Sequence, residues 1–574
     1  MVTYKKLIRF LNNKFSNNLN IAFLGVAISI ILFLFIICFI SYLGFIFHLS
    51  IQKSYIFIGL LSSIFFLYLF NKKNSLSYKE LYVEIFVLSL IFIVAALLSW
   101  NLWDNSWDGR AFHQETIILL ANSWNPIWAK PHSDLFTPII WVEHYPKCAE
   151  ILSANFVKLF DNIEIGKIIN YLFASSSFLL SFFTFNKFKS SKILLNILLA
   201  TLVVLNPISI GQIRTYYIDL LVYYLFVDIL LTIILKEKCI IGNMSFIFLA
   251  SSLVAMLCNL KLGGIFYSIV LISCYLGYSI ILKKRNSTKN IALITVLSSI
   301  LILISGINPY YTNIKQGLHP FYPLAGKDKI DIMTFNSPKS FKNKNSLYKL
   351  FISTFSSTSN IAENSSITPK LKVPFSLINQ DWKYKEDMRI GGFGYFWSGI
   401  LLLLIPFVIF AKNNKDENNE IYYFSIITIW LSVLLNPVAW WARYAPQFWL
   451  IPIFIIFWKS LNNNQSEKLK IFSFILIALL FTNSLILEVK NITFSIGFSF
   501  SRHRFFDKIK NAKIDFYISP DVEENTIYYK IYKNNTITRK IPYEAYLKNK
   551  DKFKPIPCLL LLDNTSIGVY KINE

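Results

Sequence analysis

Thirteen nearly uncharged apolar runs punctuate the chain, at 19–48, 54–70, 81–100, 166–185, 192–207, 216–235, 244–259, 263–282, 289–307, 394–411, 420–438, 445–458 and 470–488. Apolar stretches of about 17 to 25 residues cross a hydrocarbon core about 30 Å thick as helices. The runs at 192–207, 244–259 and 445–458 are the shortest. The first run is too long for a signal peptide, and no small-residue cleavage site follows it. The pattern predicts an all-α polytopic membrane protein with about 13 transmembrane helices.

The polar segments between the runs set the orientation. With a cytoplasmic N-terminus, the inside segments are 1–18, 71–80, 186–191, 236–243, 283–288, 412–419 and 459–469, which together carry 18 Lys and Arg. Four short outer loops hold one cation each: Lys53, Arg214, Lys261 and Arg443. Excess cytoplasmic Lys and Arg is the normal bias, so the inverted topology is rejected. Three large segments then lie outside: 101–165, 308–393 and the tail. The division is a membrane domain at 1–488 and a small extracytoplasmic α/β domain at 489–574. Strand-like runs at Ile514–Ser519, Ile527–Tyr532 and Leu559–Leu562 support the latter. The stretch Ser353–Ser366, rich in Ser, Thr and Asn, is expected to be mobile.

Composition agrees with this layout. Of 574 residues, 54% are hydrophobic, 17% aromatic and only 16% charged, whereas soluble domains carry roughly a quarter charged residues. A net charge of +24 invites a nucleic-acid partner, but its cations sit in cytoplasmic turns, outer loops and the tail. The charge sets orientation, and no nucleic-acid partner is expected. Six cysteines form no CxxC pair.

Candidate chemistry gathers on the outer face. The segment Trp100-Asn-Leu-Trp-Asp-Asn-Ser-Trp-Asp-Gly-Arg-Ala-Phe-His113 brings Asp104, Asp108, Arg110 and His113 together after the third run. A carboxylate at the membrane surface can take a proton from an acceptor nucleophile or coordinate a metal with its neighbour; alternatively it caps the next helix. Glu143, His144 and Lys147 offer contacts to a sugar or phosphate, or form an exposed turn before a second amphipathic helix, Cys148–Phe160. Interfacial helices of this kind lie in the headgroup plane. Arg214, Lys261 and Arg443 stand at span ends among aromatics, where a lipid phosphate would sit; snorkelling to ordinary phospholipid is the alternative. Asp219, one turn inside Arg214, is a partner for that arginine or a group for acceptor or metal. Asp228, deeper in its span, has a structural role. In the second loop, His319, Asp387 and Arg389 are candidates for substrate contacts. Walker A, GxGxxG, HExxH and Cys/His zinc spacings are all absent from the sequence. The cytoplasmic loops, only 6 to 11 residues long, leave little room for a nucleotide-sugar site.

These strings resemble the GT-C superfamily of integral-membrane glycosyltransferases, which includes protein O-mannosyltransferases, lipid A aminoarabinose transferases and oligosaccharyltransferase catalytic subunits. The resemblance rests on Trp107-Asp-Gly-Arg-Ala-Phe-His113 in an early outer loop, one residue longer than the common spacing. It rests also on Thr215-Tyr-Tyr-Ile-Asp219, on Asn259-Leu-Lys261, and on Trp441-Ala-Arg-Tyr-Ala-Pro446. It implies a polyprenyl-phosphate-linked sugar donor, a glycan, lipid or protein acceptor, and a bacterial inner-membrane location. Asp108 or Asp104 would be the base and Arg443 a donor-phosphate contact. The chain departs from the family in placing its acidic loop after the third run instead of the first. It also lacks an Asp-x-Asp signature, which leaves a divalent cation (Mg²⁺ or Mn²⁺) open. The rival expectations are an O-antigen polymerase or ligase depending on Arg389 and His319, and a flippase or transporter of lipid-linked sugars with a polar path through the membrane.

Overall fold

The computed structural model describes residues 17–131, 140–189, 192–360, 368–377, 386–411, 419–462, 465–510, 512–518, 530, 538–556 and 568–573. Every one of the thirteen apolar runs coincides with a helix. They are α1 (Asn17–Ile46), α2 (Ser54–Lys73), α3 (Tyr78–Asn101), α6 (Ile168–Phe188), α7 (Ile193–Val204), α9 (Asp219–Glu237), α10 (Asn243–Leu260), α11 (Leu262–Ile281), α12 (Arg285–Ser305), α14 (Trp397–Phe410), α15 (Asn419–Leu434), α16 (Leu450–Ser460) and α17 (Glu467–Ile509). The segments between them contribute α4 (Gln114–Ala121), α5 (Cys148–Phe160), α8 (Pro207–Gln212) and α13 (Ser346–Phe355).

Eight of these helices are long and apolar enough to cross a membrane. The other five apolar runs are helical but fall short in different ways. With about 1.5 Å of rise per residue, α7, α14, α15 and α16 are shorter than a bilayer core. Helix α9 is long enough but carries Asp219, Asp228, Lys236 and Glu237. It lies at the centre of the bundle: every residue from Asp219 to Leu235 is buried, and it packs on α6 and α10. Asp228 there accepts hydrogen bonds from Ser176 Oγ (3.0 Å) and Ser177 Oγ (2.7 Å) of α6, the structural role expected of it. Helix α3 shows the opposite pattern, with Tyr82, Phe86, Ile93 and Leu97 exposed around a narrow packed stripe, as suits a helix bathed in lipid.

Two expectations for the first loop change. Helix α5 has the predicted bounds, but Cys148–Val157 are all buried. It packs against α1 and α4, with Asn155 Nδ2 donating to Ser41 Oγ at 3.0 Å and the free thiols of Cys38 and Cys148 3.3 Å apart. It is an internal helix, not one floating in the headgroup plane. Helix α4 is likewise buried throughout.

The last predicted span does not stop at 488, since α17 runs on to Ile509. Beyond it lies a four-stranded sheet of order β2-β1-β4-β3, made of β1 (Lys513–Ile518), β2 (Thr538–Lys540), β3 (Lys554–Pro555) and β4 (Gly568–Asn573). Strand β1 pairs parallel with β2 and antiparallel with β4. The strand expected at Ile514–Ser519 is β1; that at Leu559–Leu562, and all of Ile527–Tyr532 but Lys530, lie outside the described residues. The sheet shares an apolar core with Phe498, Phe505 and Phe506 of α17 and with Trp103 of the first loop, so the tail is packed onto the loop that carries the acidic residues.

Candidate active site

The first loop is locked before it reaches its acidic pair. Asp104, 2% exposed, accepts from the Ser106 backbone N–H at 2.8 Å, from Gln114 Nε2 at 2.8 Å and from the Tyr216 N–H at 3.3 Å. Both carboxylate oxygens are thereby committed. Burial pushes its pKa up against the opposing pull of Lys167 and those donors. The chain then enters a π-helical turn, Gly109–His113, for which Asp108 stands at the N-cap position. Its side chain makes no capping hydrogen bond; it turns instead to Arg443, whose Nη1 donates to Asp108 Oδ2 at 3.0 Å.

Arg443 is the hub. It sits in a 3₁₀ turn, Ala442–Tyr444, before α16. Its Nε lies 3.2 Å from Asp387 Oδ1 and 3.9 Å from Asp219 Oδ2. Its guanidinium is walled by Trp441 (4.7 Å to the ring centroid), Tyr444 (4.9 Å) and Tyr217 (5.0 Å), a stacking that a planar guanidinium favours. Lys261 pairs with Asp219 and lies 4.4 Å over the Tyr444 ring. Arg389 also lies over the Trp441 ring, 5.2 Å from its centroid. Three carboxylates and three cations thus meet at one place, drawn from the first loop, the start of α9, the α10–α11 turn, the end of the second loop and the turn before α16.

The carboxylates differ in access. Side-chain exposure is 25% for Asp108, 18% for Asp387 and 4% for Asp219, so Asp108 is the acid most open to an incoming molecule. Burial pushes Asp387 up to about 6, with Arg443 opposing and the Asp108 charge assisting. Burial likewise pushes the adjacent Glu386 up to about 7. Burial alone would lower Arg443, but Asp387, Tyr444, Asp108 and Asp219 together raise it. The Tyr217 hydroxyl is buried and has no hydrogen-bond partner among the described residues. Burial first, and then the Asp108 and Asp387 charges, hold that phenol firmly protonated, so it presents a donor.

The second loop is positioned by the very residues expected to be mobile. Ser353 Oγ donates to the Trp440 carbonyl at 2.6 Å, and Gly391 N–H to the Ser353 carbonyl at 3.1 Å. Ser359 and Ile390 exchange two backbone hydrogen bonds, of 3.1 and 3.0 Å. Trp441 Nε1 then donates to Asp387 Oδ1 at 3.0 Å. Residues 353–359 form a clamp behind Asp387 and Arg389; 361–366 lie outside the described residues.

The remaining candidates stand apart. Arg214 does not pair with Asp219: it is held by Glu488 of α17, while Asp219 goes to Lys261 and Arg443. The reason is direction, since Asp219 opens α9 facing the α10–α11 turn and Arg214 faces α17. His113 meets Glu150 of α5 at 2.5 Å and borders a small cavity with Ser153, Tyr216 and Tyr217. Glu143 accepts from Gln316 Nε2 at 2.9 Å, joining the first and second loops. His319 is exposed in a turn, its Nδ1 accepting from the Phe321 N–H at 3.1 Å. Glu386, beside Asp387, was missed from sequence, as were Glu150 and Glu488, whose partners His113 and Arg214 lie 37 and 274 positions away along the chain. Tyr217 was visible only as part of the Thr215–Asp219 string. Among the described residues no group of three or more His, Cys, Asp or Glu side chains is placed to hold a metal ion. The clustered carboxylates face Arg443 and Lys261.

No family model and no curated protein matches the chain. Among solved structures, the fold is similar to that of ArnT from Cupriavidus metallidurans, described as bound to undecaprenyl phosphate. The likeness has a TM-score of 0.50 at 9% identity and covers 86% of this chain and 98% of that one. It shows a fold shared with that protein over most of this chain.

Proposed function

We propose that the protein is an inverting membrane glycosyltransferase that takes a sugar from a polyprenyl-phosphate-linked donor and passes it to a glycan, lipid or protein acceptor at the outer face. The observation that carries this reading is the Asp108–Arg443 contact: the most exposed acid of the cluster lies against its central cation. Asp108 accepts the proton of the acceptor hydroxyl as that oxygen attacks the anomeric carbon. The bond from that carbon to the phosphate oxygen breaks on the opposite side, and the electron pair leaves with the phosphate. Arg443, Lys261 and Arg389 stabilise the charge that develops there. Asp104, with both oxygens engaged, positions the loop and takes no proton. The fold shared with an undecaprenyl-phosphate-bound protein supports this choice of donor.

The test is transfer from a synthetic polyprenyl-phosphate sugar by purified wild-type protein and the Asp108→Asn variant. A positioned base contributes about 10²- to 10⁴-fold, so the variant should lose at least 100-fold in kcat with an unchanged melting temperature. Retained turnover would remove Asp108 from catalysis and favour a site built on the loop cations.

A further inference from the structure

Acids fix the guanidinium of Arg443, while two buried side chains fix the backbone beside it. The next residue, Tyr444, ends the 3₁₀ turn Ala442–Tyr444, and its carbonyl accepts two side-chain hydrogen bonds. Asn436 Nδ2, just past the end of α15, donates to it at 2.7 Å. The Tyr267 hydroxyl of α11 donates to it as well. Asn436 Nδ2 also donates to the Tyr267 hydroxyl at 2.8 Å, which closes a ring of three hydrogen bonds. Asn436 Oδ1 accepts from the Val438 N–H at 3.0 Å, so both the donor and the acceptor ends of this amide are engaged. Tyr267 and Asn436 are only 4% and 6% exposed.

A buried carbonyl needs a partner. The following turn closes on its neighbour instead, with the Phe448 N–H donating to the Ala445 carbonyl at 3.1 Å. One side-chain donor would meet that need. Two donors from different elements, bonded to each other, fix the direction of the carbonyl as well. Tyr444 passes this order to the guanidinium, since Arg443 Nη2 donates to the Tyr444 hydroxyl at 3.0 Å. Helix α11 holds Tyr444 twice: Lys261, just before it, lies over the ring, and Tyr267 grips the carbonyl. The contact between Arg443 and Asp108 is one hydrogen bond of 3.0 Å. A misplacement of about 1 Å at such a contact can cost about 10²-fold in rate.

We propose that Tyr267 and Asn436 are positioning residues for Arg443: they set its turn so that the guanidinium meets Asp108 and the donor phosphate together. The proposal rests on the transfer role given to Arg443, and its test keeps the two apart. Tyr267→Phe removes one oxygen and leaves the Asn436 donor in place, so the Tyr444 carbonyl stays paired; Asn436→Ala removes the other donor. The first readout is amide hydrogen exchange by mass spectrometry on the full-length protein in detergent, which needs no turnover. The Tyr444 and Ala445 N–H groups, bonded to the Trp441 and Ala442 carbonyls at 2.9 and 3.1 Å, report on the turn. Either variant should speed exchange over 441–449 about tenfold, with α11 and α15 unchanged. The second readout is a double-mutant cycle in transfer from a synthetic polyprenyl-phosphate sugar. Tyr267→Phe should lower kcat about tenfold when Arg443 is present. It should lower the residual kcat less than about twofold in an Arg443→Gln background, a difference that general structural damage would not produce. Wild-type exchange over 441–449 in both variants would overturn the proposal whatever the kinetics. So would equal losses of kcat in the two backgrounds, or faster exchange with wild-type turnover; both would leave the transfer role of Arg443 standing. If the wild-type protein transfers no sugar, that role fails by itself, and exchange alone decides whether Tyr267 and Asn436 hold the turn.

Discussion

Tyr217 sets a test at the level of a single atom. Its buried hydroxyl lacks a partner, and an unsatisfied buried polar group costs about 1–3 kcal/mol. Tyr217→Phe should therefore raise the melting temperature by a few degrees. If the phenol donates to the donor phosphate or the sugar, the same variant should lose about tenfold in kcat/KM. A stabler enzyme with unchanged kinetics would reduce Tyr217 to a wall of the Arg443 cage. Asp387 offers a second test. Its carboxyl is pushed up to about 6 by burial, and its ionised form accepts from Trp441 and faces Arg443. The ordered cage requires the charge, so the sign is fixed: kcat/KM should fall as pH drops through about 6. Asp387→Asn, which cannot titrate, should flatten that limb at a lower plateau. An acid limb that survives the substitution would assign the titration elsewhere.

At the scale of elements, the π-helical turn is what aims Asp108. Gly109 is in the ordinary right-handed region, but a Cβ there would fall onto Asp104 Oδ2 and Ser106 Oγ. Overpacking of this kind costs about 1–3 kcal/mol. Gly109→Ala should lower the melting temperature by several degrees and cut kcat more than it raises KM; wild-type values of both would show the turn to be slack. The helices themselves were legible in the sequence because burial in lipid or in a bundle demands continuous apolar runs. Asp108, Lys261, Asp387, Arg389 and Arg443 were legible because polar groups at span ends are few. Partners were not. The Arg214–Glu488 pair links residues 274 positions apart, and the Glu stood at what looked like the end of a span. The polar composition of 353–359 suggested motion, whereas its hydroxyl and peptide groups hold the second loop behind Asp387. An amphipathic pattern in α5 suggested the headgroup plane; the polar face instead meets Ser41 of α1 and His113 within the protein.

For the whole molecule, the number of crossings decides where the termini lie. Eight helices meet the length and hydropathy needed to span alone, and an even number returns the chain to its starting side. Thirteen crossings put the two ends on opposite sides. Short α16, fully buried from Leu450 to Ser460 and preceded by a 3₁₀ turn at Pro446–Trp449, can complete a crossing because irregular backbone is tolerated at membrane depth when protein surrounds it. Helix α9 is likewise surrounded by protein, its Asp219 and Asp228 met by Ser176, Ser177, Lys261 and Arg443 and not by lipid. The Arg443 cluster and the four-stranded sheet also require this parity, since Trp103 of the first loop packs on that sheet. A fluorescent protein fused at the N-terminus and alkaline phosphatase fused after Glu574 should both be active in bacterial cells, placing the N-terminus in the cytoplasm and the sheet outside. An inactive phosphatase that becomes fluorescent when exchanged for the fluorescent protein would put both ends in the cytoplasm. That outcome would reduce the crossings to an even number and place the sheet, with the acidic loop packed on it, on the wrong face for an outer-leaflet donor.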